Sequence, residues 1–234
     1  MRIAVVTPYH EESYEILKRC HDSVASQDIN GVTHMFVSDG SHHPGIKTFR
    51  NIEHMILPER HADAGATPRA VGAISAFSRG YDAVAFLDAD NTFCTNHLSM
   101  MASAMVSGQA SIVTATRNIC TEAGEILYVD TVESDGKDFC DTNCMFLGKP
   151  AMHLLTYWIT EPAERLWSDR RFWSVIIQSN MSKRHVSVAT VNYHSRWAWH
   201  YQHAGKTPPA HSVWIDRGAN GELVHRRHSE TMKG

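Results

Sequence analysis

The residues Asp82 to Leu87 (DAVAFL) run apolar after their first aspartate and stop abruptly at Asp88-Ala89-Asp90. A strand with no polar alternation has no face to offer water, so it must be covered on both sides, as the central strands of parallel sheets are. Helices must therefore lie above and below it, which restricts the chain to a layered α/β architecture. With 234 residues, 43% of them hydrophobic, the chain has enough apolar material for one such domain.

The sequence around this strand supports that reading. Residues 2–7 (RIAVVT) predict a strand ending at Pro8, and Tyr14, Leu17, Cys20 and Val24 recur at helical spacing between Ser13 and Gln27. Strands are predicted at 32–38, stopped by Asp39-Gly40-Ser41, and at 52–57, stopped by Pro58. A helix opens around Pro68 and carries Ala70, Ala73, Ile74 and Phe77 on one face as far as Gly80. Beyond the central strand, the pattern predicts a helix over 95–106, strands at 110–116 and 138–147, and helices starting at Pro150 and near Asp169. Strand-helix alternation through the first hundred residues predicts a mostly parallel, Rossmann-like sheet with right-handed crossovers and flanking helices. The last forty residues are aromatic and rich in histidine, with a hairpin expected around Asn220-Gly221, and read as a C-terminal tail or lid.

Composition narrows the function. A net charge of −3 provides no broad basic field for a phosphate backbone, so nucleic acid is not an expected partner. The opening MRIAVVTPYHEE has too short an apolar run for a signal peptide or a membrane span. A cytoplasmic location is expected, with peripheral membrane association and homo-oligomerisation left open. Cys20, Cys94, Cys120, Cys140 and Cys144 are odd in number and lack a CxxC pair, which predicts free thiols. Of the sixteen histidines, singletons such as His21, His34 and His97 are expected to be surface or packing residues.

Ligands of such sheets sit beyond the carboxyl ends of the strands, where the loops at Pro8, Asp39 and Asp88 emerge. Asp88 and Asp90, one residue apart at a strand end, can hold Mg²⁺ or Mn²⁺ through oxygen and leave coordination positions for phosphate. The competing reading makes Asp88 a helix cap and Asp90-Asn91 a turn. Asp39, in SDGS, can accept a hydrogen bond from a uracil N–H or simply form an Asp-Gly turn. Arg69 can reach a phosphate or a base, or remain a solvated surface arginine.

In order and spacing, VVTPYHEE, VSDGS, ADAGATPRAVGAISAF and DAVAFLDADN resemble the donor-binding half of GT-A fold glycosyltransferases, particularly the inverting family 2 enzymes. The match covers about the first 95 residues. It implies a GT-A type fold with a nucleotide-sugar-binding half (1–95), an acceptor-binding half (96–192) and a C-terminal tail or lid (193–234). It also implies that Thr7, Pro8, Tyr9 and Asp39 hold the nucleoside and that Arg69 contacts the nucleotide. Asp88, Ala89 and Asp90 form the DxD element that organises metal and diphosphate. The chain departs from the family pattern in having Asp63 and Ala70 where asparagines are common. In the second half, the resemblance makes Asp169 of SDRRFW the general base, with Glu161 and Glu164 as alternatives, and gives Asp141 to the acceptor. His194 becomes the histidine that completes the cation's shell, with His200 and His203 as rivals.

The expected reaction is metal-dependent, inverting transfer of a sugar from a nucleotide-sugar, UDP-linked, to an acceptor hydroxyl. Two other readings are weighed beside it. A sugar-phosphate nucleotidyltransferase usually carries a glycine-rich basic loop after its first strand, where this chain has TPYHEE. A non-catalytic nucleotide-sugar-binding module would bind UDP without turnover.

Overall fold

The computed structural model describes residues 1–160, 168–217 and 223–227. In its first half strands alternate with helices, except that a short 3₁₀ segment over Pro44–Thr48 stands between the second and third strands: β1 (Ile3–Tyr9), α1 (Tyr14–Ala25), β2 (Val32–Ser38), β3 (Ile52–Ile56), α2 (Ala66–Ser78) and β4 (Ala83–Phe86). There follow β5 (Thr92–Phe93), α3 (His97–Ser107), β6 (Ile112–Cys120), β7 (Ile126–Asp130), β8 (Met145–Gly148), α4 (Tyr157–Thr160) and α5 (Ser168–Gln178). The chain continues through β9 (Lys183–His194), α6 (Ala198–His203), β10 (Val213–Arg217) and β11 (Leu223–Arg227).

Nine strands form one sheet in the order β3-β2-β1-β4-β8-β6-β9-β5, with β7 paired to β6. The pairs β1–β2, β1–β4, β2–β3 and β6–β9 are parallel. The pairs β4–β8, β6–β8, β6–β7 and β5–β9 are antiparallel. The sheet is thus mixed, and its parallel character is concentrated in the half whose strand-helix alternation the sequence shows. Residues 138–147 are a strand only from Met145, because Asp141 accepts the backbone N–H of Asn143 and turns the chain into a short 3₁₀ segment over Thr142–Cys144. The twelve-residue β9 was not expected, since it mixes exposed polar and apolar positions.

β1 continues past the predicted stop at Pro8, pairing Pro8 with Val37 and Tyr9 with Ser38. The Val6 carbonyl accepts from Leu87 on the β4 side and the Tyr9 carbonyl from Asp39 on the β2 side. By that alternation Pro8 faces the β4 side, beyond the last β1–β4 pair Val6–Phe86, where its missing N–H breaks no ladder bond. α2 lies close against the sheet because Gly72 has no side chain: a Cβ there would stand 2.7 Å from Val6 Cγ1 and 2.8 Å from Val37 Cγ2. This approach delivers Arg69, one turn earlier, to the carboxyl end of β4.

The main core gathers Ile3, Phe77, Phe86, Leu87, Leu98, Met101 and Phe146, all fully buried. Each such side chain contributes about 1.5–3 kcal/mol relative to exposure. A smaller cluster of Tyr9, Leu17, Phe36, Ile46 and Ala89 lies under the loops after β1, β2 and β4. Among the described residues no helix is long and apolar enough to cross a membrane. The C-terminal segment is not separate from the sheet: β9 runs through the expected boundary at 192 to His194, and Ser195, Ala198, His200 and Tyr201 are buried. β10 and β11 form the expected hairpin, while its tip at Asn220-Gly221 lies outside the described residues.

Candidate functional site

The loops beyond β1, β2 and β4 enclose a cleft of about 520 Å³ whose walls include Pro8, Tyr9, Asp39, Arg69, Asp88, Ala89 and Asp90. Seven residues singled out from the sequence therefore meet at one sheet edge, although Pro8 and Asp90 are 82 positions apart. The backbone turn expected at the DxD element is present, with Asn91 N–H donating to the Asp88 carbonyl. The carboxylates nevertheless face the cleft, and α3, which starts after Asn96, takes no cap from Asp88.

Asp88 is held from two sides. Its Oδ1 pairs with the buried guanidinium of Arg69, which also donates to the Ala64 carbonyl at 2.8 Å. Its Oδ2 accepts from Asn143 Nδ2 at 2.9 Å, and its backbone N–H donates to Asn143 Oδ1 at 2.6 Å. Asp90 is anchored through its carbonyl, which accepts from Arg19 Nη2 at 2.7 Å, and its carboxylate lies 3.9 Å from the guanidinium of Arg196. Burial, and next the charge of Asp88, push the Asp90 carboxyl up to about 6, against the opposing pull of Arg196.

Asp39 joins the end of β2 to the loop before α2. Its Oδ1 accepts from the His61 backbone N–H at 2.8 Å and its Oδ2 from that of Ala62 at 3.0 Å. Burial acts to raise the Asp39 carboxyl, but these two N–H donors and the His61 ring outweigh it and hold it below the usual value. The loop they define is conformationally costly, with Ala62 at φ 52°, Ala64 at φ 56° and Gly65 at φ 81°. At Gly65 a Cβ would come within 3.1 Å of the Pro8 ring and 3.2 Å of Arg69 Nη1, so glycine is needed there both for backbone and for space.

Other expected residues lie elsewhere. Thr7 is fully buried below the cleft, on the same face of β1 as Tyr9 but two residues further from the strand end, its hydroxyl bonded to His34 Nε2 at 2.8 Å. Asp141 is buried against Arg117, which also pairs with Asp130. Asp169 stands in the first turn of α5, accepting the Arg170 N–H at 2.7 Å. Burial and then the Asp141 charge push its carboxyl up to about 6, while Arg170 and Arg69 oppose. The field of Arg69 thus reaches both Asp88 and Asp169. Glu161 and Glu164 lie outside the described residues.

His194 does not join Asp88 and Asp90. Its Nε2 is 3.1 Å from Thr92 Oγ1, its Nδ1 is 3.3 Å from the Glu122 carbonyl, and its backbone N–H donates to Asn91 Oδ1 at 2.9 Å. Those contacts fasten β9 to the loop behind Asp90, and burial lowers the ring's basicity. The rivals are likewise engaged, His200 Nδ1 with the Ser195 hydroxyl at 2.5 Å and His203 with the Tyr128 ring at 4.7 Å. Sequence reading missed His10, Glu12, Tyr193 and Arg196, which line the cleft, and Asn143. Arg196 and Tyr193 stand within three residues of His194, so the segment singled out from the sequence does reach the cleft, through neighbouring side chains.

Among the described residues no three His, Cys, Asp or Glu side chains form a ready-made metal cluster. Mg²⁺ commonly takes only one or two carboxylates from the protein and the rest of its shell from substrate phosphates and water. The Asp88–Asp90 pair fits that requirement, since a cation there would offset the burial and the Asp88 charge that raise Asp90.

Three solved structures share the fold at low identity. S. aureus TarS 1-349 in complex with UDP aligns with a TM-score of 0.65 at 14% identity, over 87% of this chain and 63% of that one. TarS 1-349 in complex with UDP-GlcNAc gives 0.66 at 14%, over 83% and 59%. TarS itself gives 0.63 at 14%, over 86% and 38%, so this chain spans less than two thirds of each of these relatives. No curated protein matches the chain in sequence at a significant level. The family model for glycosyl transferase family 2 matches residues 4–146, which include the whole Asp39–Arg69–Asp88–Asp90 edge and more than half of the sequence, and on that match the chain belongs to glycosyl transferase family 2, a family of sugar-transferring enzymes.

Proposed function

We propose that this protein is a metal-dependent, inverting glycosyltransferase of GT-A type that takes a sugar from a UDP-linked donor and places it on an acceptor hydroxyl. The observation that carries this reading is the convergence of Asp39, Arg69, Asp88 and Asp90 on a single cleft. In this reading Tyr9 and Pro8 flank the nucleoside, and Asp39 accepts from the base. Pre-set by two backbone N–H donors, that carboxylate remains ionised and needs no reorganisation on binding. Complexes of TarS with UDP and UDP-GlcNAc on the same fold support a uridine donor.

Asp88 and Asp90 hold Mn²⁺ or Mg²⁺, which when bound supplies Lewis-acid neutralisation of the departing diphosphate. Arg69 and Arg196 bring two positive charges to the same cleft and stabilise the leaving group. Asp169 takes the proton of the acceptor hydroxyl, and its raised pKa makes its carboxylate a stronger base than that of an exposed aspartate. The described residues act as one catalytic domain, the donor half ending near residue 95 and β9 joining the acceptor half to the segment that carries Arg196.

A thermal-shift panel of UDP, CTP, dTTP and GDP with and without Mn²⁺ tests the reading. A rise with UDP that grows with Mn²⁺ and is lost in Asp90→Ala is the expected result. A response confined to CTP or dTTP would favour a nucleotidyltransferase, and UDP binding with no hydrolysis or transfer of any UDP-sugar would favour a binding module.

A further inference from the structure

Asn143 is 1% exposed, and both ends of its side-chain amide are hydrogen-bonded beside Asp88. Oδ1 accepts from the Asp88 N–H at 2.6 Å, while Nδ2 donates to Asp88 Oδ2 at 2.9 Å and to Asp141 Oδ1 at 2.7 Å. The pattern has one orientation: reversing the amide would turn its oxygen toward two carboxylates and its NH₂ toward an N–H. The amide is itself fixed, because Asp141 holds the Asn143 backbone N–H at 2.9 Å and is in turn held by Arg117. A buried chain thus runs Arg69–Asp88–Asn143–Asp141–Arg117–Asp130 from the family-matched donor edge into the second half of the sheet.

We infer that Asn143 is a positioning residue that sets the rotamer of Asp88, so that one carboxylate edge is presented to the donor's cation and diphosphate. An aspartate at a strand end has free rotation about its side-chain bonds, and Arg69 alone restrains only one oxygen. The amide restrains the other and ties it to the backbone of the same residue. Removing it leaves Asp88 paired to Arg69 but free to turn out of register with Asp90. Outer partners of this kind change ligand affinity by about 10–100-fold when lost. The inference rests on the role proposed for Asp88 above.

Calorimetric titration of UDP into the full chain, with and without Mn²⁺, tests it in Asn143→Leu and Asn143→Ser. Leucine matches the volume without an amide, and serine keeps a single donor should leucine not fold. Expected is a loss of about tenfold or more in the Mn²⁺-dependent part of UDP affinity, smaller in serine than in leucine, with metal-free affinity unchanged. A role limited to packing would lower the thermal midpoint and leave the Mn²⁺ dependence alone. Folded variants with wild-type Mn²⁺ dependence overturn the inference. Wild-type protein that gains no UDP affinity from Mn²⁺ overturns instead the metal role of Asp88, and this inference with it.

Discussion

Arg69 and Asp88 form an ion pair at the cleft, the arginine buried on α2 and the aspartate just past the end of β4. The two elements touch here because Gly72 lets α2 close on the sheet, so the pair joins a helix, a strand and a binding surface at one point. Its guanidinium is more enclosed than its carboxylate, with side-chain exposures of 9% and 28%.

Asp88→Asn keeps the shape and the Asn143 contacts but leaves a buried cation without its counter-charge. We expect a loss of about 2 kcal/mol, because an unpaired buried charge costs more than the pair contributes. For a chain of this size that corresponds to a fall of roughly 4–8 °C in the thermal midpoint. An unchanged midpoint would mean that Arg69 finds other compensation. Arg69→Lys, which keeps the charge, should lose less.

Asp169 gives a kinetic and a thermodynamic expectation of linked sign. As a base it must be ionised, so kcat should fall as pH drops through about 6, and Asp169→Asn should lose that limb together with about 10²–10⁴ of the rate. Its folded value lies above the ordinary 3.8, so the folded state binds its proton more tightly. Stability supplied by that proton is present below pH 4 and disappears as pH rises through 6. Asp169→Asn should therefore raise the thermal midpoint at pH 8 relative to wild type and change it less at pH 4. A pH-independent kcat between 5 and 8 would remove Asp169 from the role.

Two neighbouring loop positions should respond oppositely. Gly65→Ala puts a Cβ against Pro8 and Arg69 at φ 81°, and should cost about 1–2 kcal/mol from the backbone alone while weakening UDP binding. Ala64→Gly relieves a left-handed alanine at φ 56° and should be neutral or stabilising by up to about 1 kcal/mol. Urea denaturation of the two variants separates these outcomes, and equal destabilisation would contradict the strain assigned to the loop.

Acid sensitivity should come from buried neutral histidines. His97 is fully buried, stacked on Phe93 at 4.0 Å and bonded to Thr190 Oγ1 at 2.7 Å, and burial pushes it down to about 3. The unfolded chain takes up its proton near 6.5 and the folded chain only near 3, so stability is lost as pH falls across that window. Each such group contributes up to about 1.4 kcal/mol per pH unit. His97→Phe, if it packs, should flatten the dependence of the urea midpoint on pH between 7 and 5. An equally steep dependence in the variant would assign the effect elsewhere.

Much of the cleft edge was legible in the chain because it depends on local rules. Residues 32–38 and 83–86 are strands as their apolar runs imply, and because both run parallel to β1 and flank it, the loops that follow them emerge at one edge of the sheet, which gathers Asp39 and Asp88. Histidines His21, His34 and His97 were expected as packing or surface residues, and all three are buried. His194 points away from Asp88 and Asp90 because the segment NYHSRW is local but the direction of its side chains is not. β9 pairs with both β6 and β5, and that register turns His194 toward Thr92 and leaves Tyr193 and Arg196 on the cleft.

Periodicity and turn chemistry, acting over a few residues, determined that this chain builds strands, helices and an acidic loop beyond a buried strand. Only the tertiary structure decided that β8 enters antiparallel between β4 and β6, bringing Asn143 fifty-five positions along the chain to hold Asp88. Strand order depends on long-range burial and hydrogen bonding summed over the whole sheet, and no window of sequence contains that sum.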